Sequence, residues 1–380
     1  MARSEVRDAL ARRFQARFGT VPRIFRAPGR INIIGEHTDY SGGLVLPAAI
    51  NRDCVIAAAN NGGRTLRVVS DGFSDAEVDL DAPARTGTWI DYVGGVASVL
   101  LDAGVPVTGA DLLVASDVPV GAGVSSSAAL EVAAAHALLA LSNTGAGGMS
   151  IARWAQQAEN EFVGMPCGIM DQFASANGVE GSALLLDCAT LVWQSVDLPR
   201  GASFILVDSM VRHAHVDGEY RSRREDCECA ARLLGLAHLS ALDEHAQHES
   251  LSRLPERVGK RARHVASENT RVVMAVDAMR HDDLAKLGEL MNRSHASLRD
   301  DMEVSVPEVD VLAEIAQRTK GVFGARLMGG GFGGSVIALA AAGEAEEALA
   351  TIRTAYESTS GKRPSGFVCR AVAGAGEVLP

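Results

Sequence analysis

Residues 110–141 read ADLLVASDVPVGAGVSSSAALEVAAAHALLAL, and this stretch decides the fold because it predicts a strand, a glycine turn and a helix in succession. The glycines let the backbone curl close to a ligand without a Cβ in the way. The serines open an Ala-rich helix, whose first amides are unpaired and carry a partial positive charge. Such a turn can hold a polyphosphate. We therefore predict a nucleotide-binding loop, in which the third serine can also offer its hydroxyl to Mg²⁺, over Gly121, Ala122, Gly123, Val124, Ser125, Ser126 and Ser127.

Two familiar glycine motifs do not explain the chain. No G-x-x-x-x-G-K-[ST] sequence occurs, so the loop is not of the Walker A type, and a plain serine-capped turn is the alternative for this segment alone. The run MGGGFGG at 328–334 contains G-x-G-x-x-G, but it leads into strand-like VIALA instead of opening a helix. We predict there a glycine turn that packs against another backbone or against nucleotide phosphates.

Helical and strand-like segments alternate on both sides of the glycine loop, which indicates a mixed α/β fold. Helical periodicity covers residues 3–18, 92–103, 126–142 and 150–163, most of 216–318, and 343–358. Apolar, β-branched runs predict strands at 43–60, 64–70, 181–187, 203–208, 334–341 and 366–373. We place a domain boundary near residue 190, which gives an N-terminal domain over 1–190 and a C-terminal domain over 191–380.

Composition excludes several classes of protein. With 36 basic and 47 acidic residues, the net charge of −11 argues against a nucleic-acid partner. No apolar run reaches the length of a membrane span, and the N-terminal segment has no apolar core for secretion. The six cysteines show no paired metal-ligand spacing, so reduced thiols in a cytoplasmic protein are expected. A monomer without a membrane partner is the default expectation.

A polar segment at 26–47, RAPGRINIIGEHTDYSGGLVLP, suits a polyhydroxylated ligand. Glu36, His37, Thr38 and Asp39 follow one another between two apolar stretches, and carboxylates accept bonds from pairs of sugar hydroxyls. Arg30 lies just upstream and can reach a phosphate or a carboxylate. A solvated loop between strands is the alternative for this segment in isolation.

Two carboxylates further along the chain suit phosphoryl transfer. Glu159 lies in the helical run IARWAQQAENEF, and Asp171 follows in GMPCGIMDQFAS. Glycines at 164 and 168 break the helix between them, so both side chains can point into one cleft. One acid on Mg²⁺ and one beside the acceptor hydroxyl is the arrangement that this chemistry needs.

These segments, in this order, resemble the GHMP kinase superfamily and within it the galactokinase family. The resemblance spans nearly the whole chain. It is carried by GRINIIGEHTDYSGGLVLP at 29–47, WIDYVGGV at 89–96, PVGAGVSSSAALE at 119–131, GMPCGIMDQF at 164–173, HVDGEYRSRREDCE at 215–228, SHASLRDDMEVSVPEVD at 294–310 and GARLMGGGFGGSVIAL at 324–339. The first motif is specific, whereas the glycine motifs are shared across the superfamily.

The resemblance implies two α/β domains with the active site between them, and transfer of the γ-phosphoryl group of ATP to the C1 hydroxyl of galactose. By position, Arg30 would stabilise the transferred group and Asp171 would face the anomeric hydroxyl as proton acceptor. Ser127 and Glu159 would hold Mg²⁺. The sugar would be bound by Glu36, His37, Thr38, Asp39, Gly168 and Tyr220. The adenine would lie near Ser70 and Trp89.

Departures from the family pattern and rival functions remain open at this stage. Ser41 stands where the family usually has Asn, Gly218 and Ser222 differ from the usual neighbours of the tyrosine, and Met302 replaces a commoner aromatic residue as a packing position.

Rival functions are a related kinase of N-acetylgalactosamine, arabinose or galacturonate, a non-catalytic galactose sensor, and a mevalonate-type or homoserine-type kinase. The intact serine run argues against a sensor. The Glu-His-Thr-Asp quartet argues against a mevalonate-type or homoserine-type kinase.

Overall fold

The computed structural model describes residues 3–212, 216–242 and 251–378. Within them, none of the helices combines the length and the apolar character that crossing a bilayer requires. The helices are α1 (Arg3–Phe18), α2 (Asp91–Asp102), α3 (Ser126–Leu141), α4 (Gly148–Gln157), α5 (Met170–Asn177), α6 (Val216–Leu234), α7 (Glu256–Arg280), α8 (Leu284–Asp300), α9 (Pro307–Arg318) and α10 (Ala345–Ser360).

The strands form three sheets. They are β1 (Arg23–Asn32), β2 (Leu44–Val45), β3 (Pro47–Asn60), β4 (Thr65–Ser70), β5 (Ala76–Asp79), β6 (Ala110–Ser116), β7 (Ser182–Asp187), β8 (Trp193–Asp197), β9 (Ala202–Arg212), β10 (Val322–Met328), β11 (Gly333–Ala341), β12 (Ser365–Cys369) and β13 (Gly376–Glu377). A six-stranded sheet has the order β13-β1-β3-β6-β4-β5, a four-stranded sheet β10-β11-β9-β12, and a small sheet β2-β7-β8.

Helix α3 is central to the larger core, which packs against the six-stranded sheet. Its Ala-rich sequence leaves ten of its residues buried, and such an all-round burial marks a helix enclosed by the fold. Small side chains let α3 approach the sheet and the neighbouring helices closely. The second core lies between the four-stranded sheet and α6, α7, α9 and α10, and it contains Met302 with no exposed surface, as expected of a packing position.

The last residues of the chain return to the first sheet. Strand β13 pairs with β1, and Glu377 accepts two hydrogen bonds of 2.7 Å from the guanidinium of Arg23. Just before β13, the amide of Gly374 donates to the carbonyl of Gly178 and that of Ala375 donates to the carbonyl of Ser175. Residues 374–377 are therefore hydrogen-bonded both to β1 and to the end of helix α5, which carries Asp171.

Most predicted elements are confirmed, with two local differences. Residues 150–163 do not form one α-helix, because α4 ends at Gln157 and a π-helical turn, Ala158–Val163, follows it. The predicted strand at 366–373 ends at Cys369, with an isolated bridge at Ala371. Of the predicted helical stretch 216–318, residues 243–250 lie outside the described residues. The predicted boundary near residue 190 falls in the turn of the β7–β8 hairpin and stays a prediction.

Candidate active site

A cavity of about 200 Å³ lies where the polar segment, the α4–α5 connection and the C-terminal glycine turn meet. It is lined by eight of the residues predicted above for catalysis, sugar or metal, and also by residues 165–167. The lining residues are Arg30, Glu36, His37, Asp39, Glu159, Met165, Pro166, Cys167, Gly168, Met170, Asp171, Tyr220, Gly329 and Gly330. Three elements far apart in sequence thus converge on one polar cavity.

Arg30 and Asp171 connect this cavity to the glycine loop. Nε of Arg30 donates to Oδ1 of Asp171 at 2.8 Å, and Nη2 donates to Oδ2 at 2.9 Å. The remaining Nη1 donates to the carbonyl of Gly123, and the hydroxyl of Ser125 donates to Oδ2 of Asp171 at 2.5 Å. Arg30 is 4% exposed, so this bidentate pair is held inside the protein.

The glycine loop has the form that the sequence predicts. Helix α3 begins at Ser126, and Ser125 before it has a left-handed φ of 61°. The side chains of Ala122 and Val124 are buried, so only their main chain is available to a ligand. A Cβ on Gly329 would lie 3.2 Å from the Cα of Gly123, which explains glycine at this contact. The C-terminal glycine turn therefore packs against the loop, as predicted.

A second cavity of about 330 Å³ lies between the glycine loop and the C-terminal glycine turn. Arg212, at the end of β9, is the cation on its wall, and the carboxylate of Asp208 holds it with bonds of 2.9 and 2.6 Å. This arginine is not predictable from the sequence, since nothing in its neighbourhood marks it as facing Gly121 and Gly123.

Ser70 and Trp89 lie outside both cavities. Ser70 ends β4 and pairs with Val114 of β6, and the chain after β6 becomes the glycine loop. The ring of Trp89 lies 5.5 Å from that of Phe73, which is in the turn directly after Ser70. The two residues thus lie near the end of β4, beside the strand that leads to the glycine loop, and their contact with adenine stays a prediction.

The carboxylate of Asp39 packs closely against Gly168. A Cβ placed on Gly168 would lie 1.9 Å from Oδ2 of Asp39, so any other residue there would displace the carboxylate. Burial raises the pKa of Asp39 to about 7, and the negative charges of Asp171 and Glu36 add to this effect. Asp39 is therefore one of two carboxyl groups of the cavity, with Glu159, whose pKa lies near neutral pH.

Glu36 is paired with Arg326, a residue that the sequence motifs did not predict for the site. Nη2 of Arg326 lies 2.8 Å from Oε2 of Glu36, and both side chains are buried. Arg326 also donates to the carbonyls of Asn32 and Ile33. A charged residue inside the apolar strand VFGARLM was the available signal, because such a residue needs a buried partner.

His37 is a neutral imidazole with both nitrogens occupied. Burial lowers its pKa to about 3, and the nearby His264 adds to this. Nε2 faces the carbonyl of Gly330 at 3.2 Å and must carry the proton, so Nδ1 accepts from the hydroxyl of Tyr40 at 2.8 Å. Its backbone has a left-handed φ of 59°, which is strained for a residue with a side chain. The bond from Nε2 of His37 thus connects the polar segment to the C-terminal glycine turn at Gly330.

Thr38 does not line the cavity. Its hydroxyl lies 3.0 Å from the carbonyl of Gly35 and 2.8 Å from that of Leu44, so it stabilises the turn that carries residues 36–39. Tyr220, by contrast, lines the cavity from α6, with its ring 5.4 Å from that of His37 and 5.5 Å from that of Tyr40. The structure therefore brings every predicted sugar-binding residue to the cavity except Thr38.

Ser127 and Glu159 suit a divalent cation. Burial raises the pKa of Glu159 to about 7, Asp171 adds to this, and a hydrogen bond from Ser127 opposes it. Mg²⁺ is usually bound by one or two carboxylates together with phosphate oxygens and water. A hydroxyl and a carboxylate amid excess negative charge fit that need. In the described part of the chain, no group of three His, Cys, Asp or Glu side chains could hold a metal ion alone.

Comparisons with known proteins agree with this geometry. The fold and both glycine elements define a GHMP kinase, since residues 91–179 match the GHMP kinases N terminal domain and 275–358 match the GHMP kinases C terminal domain. Residues 12–60 match the galactokinase galactose-binding signature. Methanococcus jannaschii mevalonate kinase, at 17% identity and TM-score 0.68 over 93% of this chain and 99% of its own, shares the fold alone.

Closer relatives identify the particular family. The galactokinase of Chloroflexus aurantiacus is 44% identical over 95% of both chains, and that of Roseiflexus sp. is 41% identical over 97% of both. The crystal structure of Lactococcus lactis galactokinase complexed with galactose has a TM-score of 0.95 and 34% identity, covering 98% of this chain and 100% of that one. The chain belongs to the galactokinase family.

Proposed function

We propose that the protein transfers the γ-phosphoryl group of ATP to the C1 hydroxyl of α-D-galactose and so produces galactose 1-phosphate. The observation that carries the proposal is the Arg30–Asp171 pair, because it joins a cavity lined by carboxylates to the carbonyl of Gly123 in the glycine loop. Relatives of nearly equal length are galactokinases, and the Lactococcus lactis enzyme is known in complex with galactose.

The sugar would be held mainly by carboxylates. Glu36 and Asp39 accept hydrogen bonds from ring hydroxyls, while Tyr220 and the backbone at Gly168 shape the wall of the cavity. A sugar that lacks one of these hydroxyls would leave a buried carboxylate oxygen unpaired, and this penalty makes the cavity selective. His37 supports the site by fixing the glycine turn at Gly330.

Asp171 would face the attacking C1 hydroxyl and accept its hydrogen bond. Its carboxylate is 28% exposed toward the cavity and is oriented by Arg30 and Ser125. Arg30 would stabilise negative charge on the transferred phosphoryl group. Much of the catalysis in such a site comes from positioning and from charge stabilisation by fixed donors.

The nucleotide phosphates would lie along the glycine loop. The main-chain amides at the start of α3 would supply positive potential along the loop, and the guanidinium of Arg212 lines the second cavity. Ser127 and Glu159 would hold Mg²⁺, which neutralises phosphate charge when bound. The adenine would lie near Ser70 and Trp89. A monomeric state and a cytoplasmic location remain predictions from the sequence.

The function is tested by a panel of sugars at saturating MgATP. We expect coupled ADP release with galactose, with kcat/KM at least about 100-fold lower for glucose, since a misplaced hydroxyl leaves a buried acceptor unpaired. N-acetylgalactosamine, arabinose and galacturonate test the related sugar kinases. A higher kcat/KM for one of them would assign the protein to that substrate, and galactose binding without turnover would make it a sensor.

The binding of galactose should depend on pH through Asp39. Its pKa of about 7 means that the carboxyl is largely protonated at pH 6 and largely ionised at pH 8. Sugar hydroxyls donate to the ionised form, so affinity should rise with pH by up to about 10-fold across this range. Isothermal titration without nucleotide measures the dissociation constant at each pH. Asp39→Asn should bind more weakly and lose most of the dependence, and any part that remains would come from Glu159, whose pKa is also about 7. A flat profile in the unmodified protein would contradict the assignment.

A further inference from the structure

Gln172 is a fully buried side chain next to the active site that the mechanism above does not use. It follows Asp171 on α5 and has no exposed surface. Its Nε2 donates to Oε2 of Glu159 at 2.5 Å and to Oε2 of Glu131 at 3.1 Å. Glu131, on α3, is also completely buried. One carboxamide therefore links the π-helical turn, the central helix α3 and the helix that carries Asp171.

The orientation of this amide is fixed by its partners. Carboxylate oxygens accept hydrogen bonds, and the amide nitrogen has two hydrogens to donate. The opposite orientation would place the amide oxygen against Oε2 of Glu159, which is an acceptor in the ionised form that would hold a cation. Burial raises the pKa of Glu131 well above its usual range, so that carboxyl does not fix the orientation. Nε2 therefore donates to both carboxylates, and the bond of 2.5 Å limits the rotation of the Glu159 carboxylate.

If Gln172 only filled space in the core, its buried amide would lower the stability of the fold without any benefit. Oε1 of Gln172 and Oε1 of Glu131 are buried without a hydrogen-bond partner among the described residues. A buried unsatisfied polar atom destabilises the folded state, and an apolar side chain of the same volume would avoid that loss. Two such atoms around one amide indicate that the bond to Glu159 is what this residue provides.

We propose that Gln172 is a positioning residue that aims the carboxylate of Glu159 at the Mg²⁺ of MgATP. The inference rests on the proposed function, in which Ser127 and Glu159 hold that ion. Groups that orient a metal ligand typically contribute 10–100-fold to metal affinity or activity. Gln172 touches neither substrate nor metal, so its effect passes through Glu159.

The test is a binding measurement on the full chain with Gln172→Met, which keeps the length of the side chain and removes the amide. Mn²⁺, used as a probe for Mg²⁺, is titrated in the presence of a non-hydrolysable ATP analogue and followed by electron paramagnetic resonance. We expect about 10-fold or greater weakening of Mn²⁺ binding. The dissociation constant for galactose should stay within about 2-fold, as expected when the sugar cavity is intact.

Gln156→Met is the matched control. Gln156 also donates to the connection between α4 and α5, at the carbonyl of Cys167 and 3.3 Å, but it makes no bond to Glu159. This variant should bind Mn²⁺ like the unmodified protein. Equal Mn²⁺ affinity in Gln172→Met and the unmodified protein would overturn the proposal, as would equal weakening in both variants.

A second substitution covers the case in which Gln172→Met does not fold. Gln172→Asn keeps the amide on a shorter side chain that cannot reach both carboxylates, so Mn²⁺ binding should again weaken, and unchanged binding would count against the proposal. The outcome is separable from the proposed function. If the unmodified protein phosphorylates another sugar, the loss of Mn²⁺ binding in the variants still supports the role of Gln172.

Discussion

Asp171→Asn is expected to lower kcat with galactose about 1,000-fold, within the range seen when a positioned acid–base group is removed. The amide keeps the size of the carboxylate, but it cannot take up a proton and can no longer accept hydrogen bonds with both of its terminal atoms. Arg30 and Ser125 donate to those two positions, so the attacking hydroxyl also loses its orientation. Steady-state kinetics with both substrates measure the effect, and the KM for MgATP should change by no more than about 2-fold.

The matched control for this prediction is Asp53→Asn. Asp53 is also paired with an arginine of β1, since Nη1 of Arg26 lies 2.6 Å from its Oδ1, but it does not line the cavity. Its kcat should be nearly unchanged. A kcat in Asp171→Asn within about 10-fold of the unmodified protein would remove Asp171 from the chemical step.

Arg30→Lys is expected to lower kcat about 100-fold or more, comparable to the loss of one fixed donor at a developing charge. The planar guanidinium bonds both oxygens of Asp171 and the carbonyl of Gly123 at once, and a single ammonium cannot reproduce this geometry. Because lysine keeps the positive charge, a loss of kcat would show that the geometry of the guanidinium hydrogen bonds is required. Kinetics and galactose titration together separate catalysis from binding.

Arg26→Lys provides the comparison on the same strand. Arg26 bonds Asp53 and the carbonyls of residues 373 and 374, and it lines neither of the two cavities. This variant is expected to keep its kcat and to lose at most some thermal stability. Activity in Arg30→Lys equal to that in Arg26→Lys would show that the guanidinium fork is not needed.

The sequence predicted the parts of the site that depend on local pattern. The glycine loop and the start of α3 at Ser126 follow from a strand, a turn and a helix start that lie side by side in the chain. The polar quartet at 36–39 and Asp171 stand out because they interrupt apolar surroundings. These signals need no knowledge of distant neighbours.

What the sequence could not predict depends on partners far away in the chain. Arg326 and Glu36 are a buried pair separated by 290 positions, and Gln172 meets Glu131 and Glu159 from another helix. Thr38 has the same polar character as its neighbours, and only the fold decides that its hydroxyl turns toward Gly35 and Leu44. The π-helical turn at Glu159 likewise departs from a regular helical period that the sequence itself displays.

The return of β13 to β1 has a consequence for how the protein is made. On the ribosome, residues 1–178 emerge long before residues 374–377, so the edge of β1 that faces β13 and the carbonyls of Ser175 and Gly178 lack these partners until residues 374–377 have been synthesised. An uncovered strand edge can pair with other chains. Nascent or C-terminally shortened chains should therefore be the species most prone to aggregate, and a few final residues complete the support of the helix that bears Asp171.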